Sequence, residues 1–517
     1  MHINEYINTD VLVVGGGIAG MLSALEAHNQ GVRVCLISKG RIGKSGSSLI
    51  SQTVHLLIEG GEDYNNVFFN EIYKGGGFIN NPTLLKKLIE KSFDAVQKLT
   101  NYNINLSGKQ KNTGQKNLYK TARAKGIDLT LPLRKAIIAS GFPFYENAII
   151  LKLIRNNDSV VGAVTLMDNR YVIIKAKATV LATGGYARMF AHSDNIIHTT
   201  GEAIISAFNV GAELMDLEFI QFYPYWLIKP HSMDIQTPLF FHGAKLKNNR
   251  GQYFLEKYPK AELENRDLVS REIELQEQVF LDLTRVNEKI IEEKNPKLFR
   301  LIKKYNSCTD FQVKPQAHFT MGGIRINEMC ATNVKGLFAC GECSAGVHGS
   351  NRVGGMALVE CAVFGPIAGK TAAEYSKTVG EPDNSKIFNQ ETAIKTGNDF
   401  LNDIEESLQQ VMWDNVGIVR HHDSLKKGIE TIQSLKEKLY NKNPIHPERW
   451  YILKNMIDLA YLIVQAALMR KESRGAHYRS DYPEMDPRWQ GNIVFSKKDN
   501  STLINFYKNN YSEKGYN

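Results

Sequence analysis

The clearest hydrophobic pattern in this chain lies near its start, where a continuous apolar run, Val11 to Val14, precedes Gly15-x-Gly17-x-x-Gly20. A helical segment and a second apolar strand that ends at Ile37 follow. Gly15 permits a tight turn, Gly17 lets the backbone approach a pyrophosphate, and Gly20 lets helix and strand pack closely. The pattern therefore predicts a Rossmann-type β-α-β unit that binds a dinucleotide at the positive end of its helix.

The residues after the second strand bear on which dinucleotide is bound. An Asp or Glu that binds a ribose hydroxyl normally lies here, but this sequence reads Ile37-Ser38-Lys39. The departure weakens the case for NAD and leaves room for FAD, whose other half must be held by distant segments. Two later segments, residues 177–190 and 335–355, place small residues after a strand. Glycine there allows a ligand to approach the backbone closely.

Two further patterns concern the middle and the end of the chain. Residues 219–227, FIQFYPYWL, mix apolar residues with Gln221, Tyr223 and a proline, which suits neither a plain core strand nor a helix. Residues 425–439 predict an amphipathic helix, because five apolar residues share one helical face: Leu425, Ile429, Ile432, Leu435 and Leu439.

Length and composition are those of an ordinary globular protein, since 517 residues suffice for about three domains. The longest apolar runs, such as residues 459–469, are shorter than the roughly 18–20 residues of a membrane span. The first ten residues carry no signal-peptide pattern. We therefore expect a cytoplasmic protein with no direct membrane span.

Charge and cysteine content exclude some other classes. The net charge of +9 is scattered in short pieces, so no nucleic-acid partner is expected. Cys340 and Cys343 have C-x-x-C spacing, but no further ligands are spaced to complete a metal site, and we expect no metal. We interpret the two cysteines as small buried loop residues, with a redox role as the less favoured alternative.

Seven sequence motifs follow one another along nearly the whole chain: the opening glycine motif, VLATGGYAR (180–188), TGEA with GAELMDLEFIQF (200–222), AHFTMGGI (317–324), GLFACGE with HGSNR (336–352), MWDNVGIVR (412–420) and RKESRGAHYRSDYPE (470–484). In this order they resemble the flavoprotein family of fumarate reductase, succinate dehydrogenase and L-aspartate oxidase. Each motif alone is only moderately specific, but the shared order makes chance a poor explanation.

The resemblance implies an α/β fold with three parts. A Rossmann-type FAD-binding domain would comprise residues 1–228 and 309–375, with an α+β capping domain inserted at 229–308. A C-terminal helical domain at 385–484 and a C-terminal tail at 485–517 would follow.

The resemblance also implies FAD as the cofactor. The dehydrogenase branch has a histidine that binds the flavin covalently in the segment matching residues 43–52, and this chain places Ser47 there. Serine has no imidazole nitrogen to form that bond, so we expect FAD to be bound non-covalently. The residues expected to touch it are Gly15, Gly17, Ala19, Gly20, Ser38, Lys39, Ser47, Ser48, Thr183, Gly184, Glu202, Glu342 and Arg352.

Three residues match the family's catalytic positions. Arg266, in ENRDLVS, takes the place of a proton-transferring arginine, while His318 and Arg352 take the places of the groups that bind a substrate carboxylate. Taken singly, Arg266 would be interpreted as an ion-pair partner of Glu262 or Asp267, and His318 as a core histidine. Three matches in register favour the catalytic interpretation.

The distal end of the substrate site departs from the family pattern. Tyr223 stands where the family has a histidine for a second carboxylate, and residues 237–254 lack the family's Glu and Arg, with His242 and Lys245 as possible replacements. The motif that distinguishes L-aspartate oxidase near residues 105–130 is also absent. Tyr223 and the aromatic segment Phe240-Phe241-His242 would then replace the groups that hold a second carboxylate. We therefore predict that a monocarboxylate, or an acid with an apolar or amide distal group, binds better than fumarate.

Three hypotheses about function follow from the resemblance. The first is an enzyme that transfers a hydride between flavin and a small carboxylate, the second an amino-acid oxidase of the L-aspartate type, and the third an electron-transfer subunit without its own substrate. Joint retention of Arg266, His318 and Arg352 favours the first. Since no four-cysteine cluster is present, a separate iron-sulfur subunit or a diffusible donor would exchange the electrons, and the subunit could bring the chain to a membrane.

Overall fold

The computed structural model of the chain describes residues 3–51, 54–60, 62–106, 111–113, 119–381, 398–441, 447–498 and 501–509. Part of the segment discussed for L-aspartate oxidase, residues 107–110 and 114–118, lies outside them. The helices are, in chain order, α1 Ile18–Asn29, α2 Ser47–Ile50, α3 Glu62–Gly75, α4 Pro82–Lys98, α5 Gly126–Ser140, α6 Glu202–Asn209, α7 Arg266–Glu274, α8 Glu288–Lys294, α9 Pro296–Tyr305, α10 Met356–Thr378, α11 Asn398–Val416, α12 His422–Tyr440 and α13 Pro447–Met469.

The strands are β1 Ile3–Val14, β2 Val34–Ile37, β3 Val54–Gly60, β4 Lys111–Thr113, β5 Tyr119–Ala124, β6 Phe144–Tyr145, β7 Ala148–Asn156, β8 Ser159–Met167, β9 Arg170–Leu181, β10 Leu214–Met215, β11 Ile220–Tyr223, β12 Trp226–Lys229, β13 Met233–Asp234, β14 Lys245–Asn248, β15 Val279–Asp282, β16 Phe311–Val313, β17 Gln316–Thr320, β18 Gly323–Arg325, β19 Leu337–Ala339, β20 Ser344–Ala345, β21 Gly491–Lys498 and β22 Ser501–Lys508.

The largest sheet has the order β6-β2-β1-β9-β8-β7, with β19 also paired to β9. Its β6, β2, β1, β9 and β19 strands run parallel, whereas β7 and β8 form an antiparallel meander at one side. Val11 to Val14 are fully or almost fully buried, as expected for a strand covered on both faces. Helix α10 packs beside α1, where a Cβ on Gly369 would lie 2.1 Å from the Ser23 carbonyl oxygen. The predicted Rossmann-type α/β fold is confirmed.

A second hydrophobic core lies within the stretch from Tyr225 to Val313. It is built on the antiparallel sheet β13-β12-β16-β15-β14 together with helices α7, α8 and α9. We call this part the cap. It includes β12 and β16, so it extends a few residues beyond the expected limits 229–308 at each end.

The cap is joined to the FAD-binding part by two paired strands. Strand β11 pairs antiparallel with β17, with an irregularity between Gln221 and Phe222, and Tyr223 lies directly opposite Gln316. The stretch FIQFYPYWL is therefore a short strand followed by the first crossing into the cap. This explains why it resembles neither a core strand nor a helix.

The described residues from 398 to 469 form the three helices α11, α12 and α13 and the loop between α11 and α12. In α12, Leu425, Ile432, Leu435 and Leu439 are buried and Ile429 is partly buried, so the amphipathic helix is confirmed. Residues 491–498 and 501–508, expected within a tail, form the antiparallel pair β21–β22. Strand β21 pairs antiparallel with β10, and its apolar residues Ile493 to Phe495 are almost completely buried.

Four arginines of the C-terminal motifs, Arg420, Arg470, Arg474 and Arg479, form a buried set that we call the arginine cluster. Arg470 donates to Glu218, to Glu472 and to the carbonyl oxygens of Trp489 and Gly491, at 2.7–3.0 Å. The same segment of the chain also contacts the HGSNR motif at residues 348–352, because the Ala476 amide donates to the Ser350 carbonyl oxygen at 3.0 Å.

Two helices are longer and more apolar than the sequence suggested. Helix α10 and residues 448–469 of α13 have the length and composition of a membrane span. However, 67% and 61% of their apolar windows are buried inside the protein, as is usual for core helices. Both helices contribute to the main hydrophobic core.

Candidate active site

One continuous cavity of about 930 Å³ runs from the β1–α1 turn to the cap. Nearly all the residues predicted to contact FAD line it: Gly15, Gly17, Ala19, Ser38, Lys39, Ser47, Ser48, Thr183, Gly184, Glu202, Glu342 and Arg352. Gly20 is the exception among the predicted residues. Its Cβ position lies 1.9 Å from the Gly15 carbonyl oxygen, so Gly20 packs the helix against the turn and faces away from the cavity.

The residues of this cavity fit a dinucleotide. Gly15 has φ +124°, and a Cβ there would lie 2.0 Å from the Ala182 carbonyl oxygen, so only glycine allows this turn. Helix α1 begins immediately after Gly17 and points its positive end at the cavity wall. Among the described residues, the buried Thr183 Oγ1 and Arg352 Nε have no hydrogen-bond partner. These unpaired groups are suited to the polar atoms of FAD.

Two carboxylates line the same part of the cavity in different charge environments. Burial acts to raise the pKa of Glu202, but the charge of Lys39, whose Nζ lies 3.0 Å from Glu202 Oε1, and the hydrogen bonds from Thr200, Lys39 and the backbone together outweigh it, so the pKa is lowered. Burial raises the pKa of Glu342 to about 7, although Glu342 accepts a bond from the Thr320 amide at 3.1 Å. Glu202 is therefore an ionised acceptor, and Glu342 is poised between its two protonation states near neutral pH.

Gln221, the polar residue in the otherwise apolar strand β11, holds the Arg352 side chain in place. Arg352 Nη2 donates to Gln221 Oε1 at 2.9 Å, and Gln221 Nε2 donates to Asn351 Oδ1 and to the Arg352 carbonyl oxygen. The guanidinium lies 4.5 Å from the centre of the Phe319 ring. Burial, followed by the positive charge of Arg266, lowers the pKa of Arg352 to about 10.

Arg266 is the first residue of α7, so the cap supplies it. Its guanidinium lies 5.1 Å from the centre of the Tyr223 ring, and it has no hydrogen bond or ion pair within the described part of the chain. The alternative partners are occupied elsewhere, since Glu262 pairs with Lys245 at 3.3 Å and Asp267 accepts a bond from Asn351 at 3.0 Å. Arg266 therefore faces the cavity with free donors.

His318 and Tyr223 complete the wall between Arg352 and Arg266. His318 Nδ1 donates to Asp194 Oδ2 at 2.6 Å, and the His318 and Tyr223 rings lie 5.5 Å apart. Tyr223 donates through its hydroxyl to the Ile235 carbonyl oxygen at 2.9 Å. Burial raises the pKa of Tyr223, so its hydroxyl stays protonated. The structure thus brings together all four predicted catalytic residues.

The distal wall differs from the expectation. Of the predicted Phe240-Phe241-His242 segment, only Phe241 lines the cavity, because Phe240 packs into the cap core 4.3 Å from Tyr225 and His242 is exposed. Lys245 is also outside the lining. The wall instead includes Met233 and the half-buried Asp234, with the exposed Lys294 and Lys297 at the rim; sequence reasoning missed all four.

Cys340 and Cys343 are free and buried. Burial raises the pKa of Cys343 to about 11, so it is a neutral thiol near neutral pH. The described residues hold no group of three or more His, Cys, Asp or Glu side chains that could bind a metal ion.

Comparison with known proteins identifies the family. Residues 10–358 match the FAD binding domain family, and residues 405–512 match the fumarate reductase flavoprotein C-terminal family. The chain belongs to this family and is an FAD-dependent oxidoreductase of the fumarate reductase and succinate dehydrogenase flavoprotein type. The family, the cofactor and the enzyme class expected from the motifs are thereby confirmed.

Individual relatives cover nearly the whole chain. The chain is 34% identical to an uncharacterized FAD-dependent oxidoreductase of Methanocaldococcus jannaschii, over 97% of this chain and 100% of that protein. It is 31% identical to one subunit of the fumarate reductase (CoM/CoB) of Methanothermobacter marburgensis, over 96% and 98%. Among solved structures, Mycobacterium smegmatis Sdh1 in complex with UQ1 matches with a TM-score of 0.84 and 26% identity, over 98% of this chain and 94% of that one.

Proposed function

We propose that this enzyme transfers a hydride between FAD and a small carboxylate substrate, with Arg266, His318 and Arg352 in contact with the substrate. One observation carries the proposal. Three basic side chains from three separate elements converge on the cavity that also contains the FAD-binding residues, and Arg266 and Arg352 keep unsatisfied donors there. A group that binds an anion reversibly needs such free donors.

Each residue has a definite part in the proposed reaction. Bound FAD supplies the hydride or accepts it. Arg352 and His318 bind the carboxylate, and their positive charge polarises the substrate. Arg266, 5.1 Å from the Tyr223 ring, gives a proton to the substrate carbon or removes one. An arginine is an unusual acid, so this role rests on the family resemblance and on the absence of an ion-pair partner among the described residues.

The distal wall supports selection of substrates that have a single carboxylate. Tyr223 and Met233 offer no positive charge, and the carboxylate of Asp234 lies in the same wall. Two like charges in a partly buried site disfavour one another. Lys294 and Lys297 are exposed at the rim, where water screens them. We therefore expect a monocarboxylate, or an acid with a polar uncharged distal group, to bind better than fumarate.

The test is a titration of the FAD-loaded enzyme with crotonate and fumarate, followed through the visible spectrum of the flavin. Crotonate should bind more tightly. Arg352→Ala and His318→Ala should each weaken its binding by about 10–100-fold, because each removes a charge-assisted hydrogen bond. Arg300→Ala, an exposed arginine on α9 outside the cavity, is the matched control. Rapid fumarate reduction by the wild type would contradict the proposed distal selection, and peroxide production from L-aspartate would favour the oxidase alternative.

We also propose that FAD is bound non-covalently. Ser47 lies in the cavity wall and donates to Asn195 Oδ1 at 3.1 Å, and a serine has no ring nitrogen to bind the flavin. Denaturation in acid or urea followed by filtration should release all the yellow colour. Colour retained by the polypeptide would contradict the proposal.

A partner subunit is the proposed route for electrons. The six cysteines do not form an iron-sulfur cluster motif, and one relative is itself named as a subunit. We infer a separate iron-sulfur subunit, and any association with a membrane would come through it. Purification at the native expression level should recover the complex. A lone chain that turns over without such a partner would exclude it.

A further inference from the structure

Asp194 and His318 form a short hydrogen bond in the substrate half of the cavity. The proposed reaction gives a role to His318 but none to Asp194. His318 Nδ1 lies 2.6 Å from Asp194 Oδ2, and both residues line the cavity. The Asp194 side chain is 9% exposed, whereas that of His318 is 31% exposed. Asp194 therefore lies behind the imidazole, which faces the space where a substrate would bind.

The segment that carries Asp194 is fixed against strand β17. The Asp194 amide donates to the Ala317 carbonyl oxygen at 3.3 Å, and Ser193 Oγ donates to the same oxygen at 3.1 Å. Asn195 Nδ2 donates both to Asp194 Oδ1 at 3.0 Å and to the His318 carbonyl oxygen at 2.7 Å. The carboxylate and the imidazole are thus positioned by several bonds, and their contact does not depend on a mobile surface side chain.

The hydrogen bond between His318 Nδ1 and Asp194 determines whether His318 Nε2 can donate a hydrogen bond. With its Nδ1 proton donated to Asp194, a neutral His318 has only a lone pair at Nε2, which cannot donate to a carboxylate. The doubly protonated ring has an Nε2 proton and can donate. The negative charge of Asp194 stabilises this second form, because a charge-assisted hydrogen bond is stronger than a neutral one.

We propose that Asp194 is a positioning residue that makes His318 a carboxylate-binding cation, so that substrate affinity falls as His318 loses its second proton at higher pH. This inference rests on the proposed function, because it assumes that the bound group is a carboxylate.

Several other charged or titratable groups face His318. Tyr223 on β11 lies beside the ring, Arg266 comes from α7, and Arg352 comes from the loop before α10. The two arginines oppose a further positive charge on His318, while the carboxylates of Asp234 and Glu342 line the same cavity at its cap and FAD sides. Asp194, in contrast to these groups, is hydrogen-bonded to the imidazole, so its substitution should have the clearest effect on His318.

Asp194→Asn separates orientation from charge. An asparagine oxygen can still accept the Nδ1 proton, so the ring should keep its orientation while the counter-charge is lost. Crotonate should then bind to the FAD-loaded variant about tenfold more weakly at pH 7, as expected for loss of one charge-assisted interaction. The pH profile of its affinity should also differ from that of the wild type, because only the doubly protonated ring can donate from Nε2.

A matched control is Asp282→Asn. Asp282 lies in the cap sheet with a side chain 7% exposed, accepts bonds from Tyr253 and Thr284, and does not line the cavity. It should leave the crotonate affinity and its pH profile unchanged. An equal loss in both variants, or an unchanged pH profile in Asp194→Asn, would overturn the inference.

A second measurement needs no substrate. Nitrogen NMR of protein labelled at histidine, with the His318 signals assigned by their loss in His318→Gln, reports which ring nitrogen carries the proton. The wild type should show the Nδ1 proton in its neutral form. The Nε2 tautomer would overturn the inference. The expected NMR result with no crotonate or fumarate binding would instead overturn the proposed function and the carboxylate-binding part of the inference.

Discussion

Two sets of arginines in this protein differ in how far their donors are satisfied. In the arginine cluster, Arg470 donates to two carboxylates and two carbonyl oxygens, and Arg479 donates to Asp481 and to three carbonyl oxygens. Arg420 donates to three carbonyl oxygens, and only its Nη2 is buried without a partner. In the cavity, Arg352 Nε is buried without a partner, and Arg266 has no polar partner among the described residues.

The difference separates structural arginines from functional ones. A buried guanidinium whose donors are all used stabilises one arrangement of the chain and has nothing left for a ligand. An unused donor on a buried guanidinium is costly, and at the cavity wall, unlike in the core, a ligand can reach and satisfy it. Substitutions in the first set should therefore affect folding, and substitutions in the second should affect binding and catalysis.

The largest effect is expected for Arg470→Ala. It leaves Glu218 buried without its cation and removes one of the two arginines that bind Glu472. Breaking a buried pair in this way costs about 3–5 kcal/mol of unfolding free energy. Urea unfolding followed by circular dichroism measures the loss. Arg488→Ala is the control, because that side chain is 89% exposed and should leave the unfolding curve unchanged. Equal stability of the two variants would remove the basis of the comparison.

Arg266→Ala should instead lower catalytic activity and leave the stability of the fold nearly unchanged. Turnover should fall by about 10³-fold, the usual scale for loss of a proton-transfer group, while FAD stays bound and the unfolding midpoint changes little. Steady-state kinetics and the flavin spectrum check the two parts. Arg271→Ala on the same helix is the control, since its guanidinium lies over the Tyr478 ring at 4.3 Å and outside the cavity. Normal turnover by Arg266→Ala would exclude it from proton transfer.

The smallest of these effects concerns the distal wall. Tyr223→His should shift preference toward fumarate by about tenfold relative to crotonate, because an imidazolium can pair with a second carboxylate. Tyr223→Phe keeps an aromatic ring without that charge and should not shift the preference. Competition between the two acids for the flavin spectral change measures the ratio. An equal shift in both variants would show that the tyrosine hydroxyl, and not the missing charge, sets the preference.

The FAD side of the cavity could be predicted from the sequence far better than the substrate side. Gly15 and Gly17 act through local backbone geometry, so their roles can be inferred from a short motif. The contacts of Gln221 with Arg352 and of Asp194 with His318 join residues 131 and 124 positions apart, which no local pattern reveals.

The error at Phe240 and His242 has a different cause. Residues 237–242 form a short 3-10 helix, so consecutive side chains point in different directions. Phe240 is turned into the cap core, Phe241 into the cavity and His242 into solvent. Adjacent positions in the sequence therefore did not share a wall of the site.

The pairing of Tyr223 with Gln316 has an evolutionary consequence. Because the chain leaves and re-enters the FAD-binding part at directly opposed residues, residues 224–315 are an insertion whose ends already meet. A different insertion grafted at the same junction would leave Tyr223, His318 and Arg352 in place and replace Arg266 together with Met233 and Asp234 of the distal wall. Exchange of this one module would therefore change the cap side of the cavity and leave the residues of its FAD side as they are.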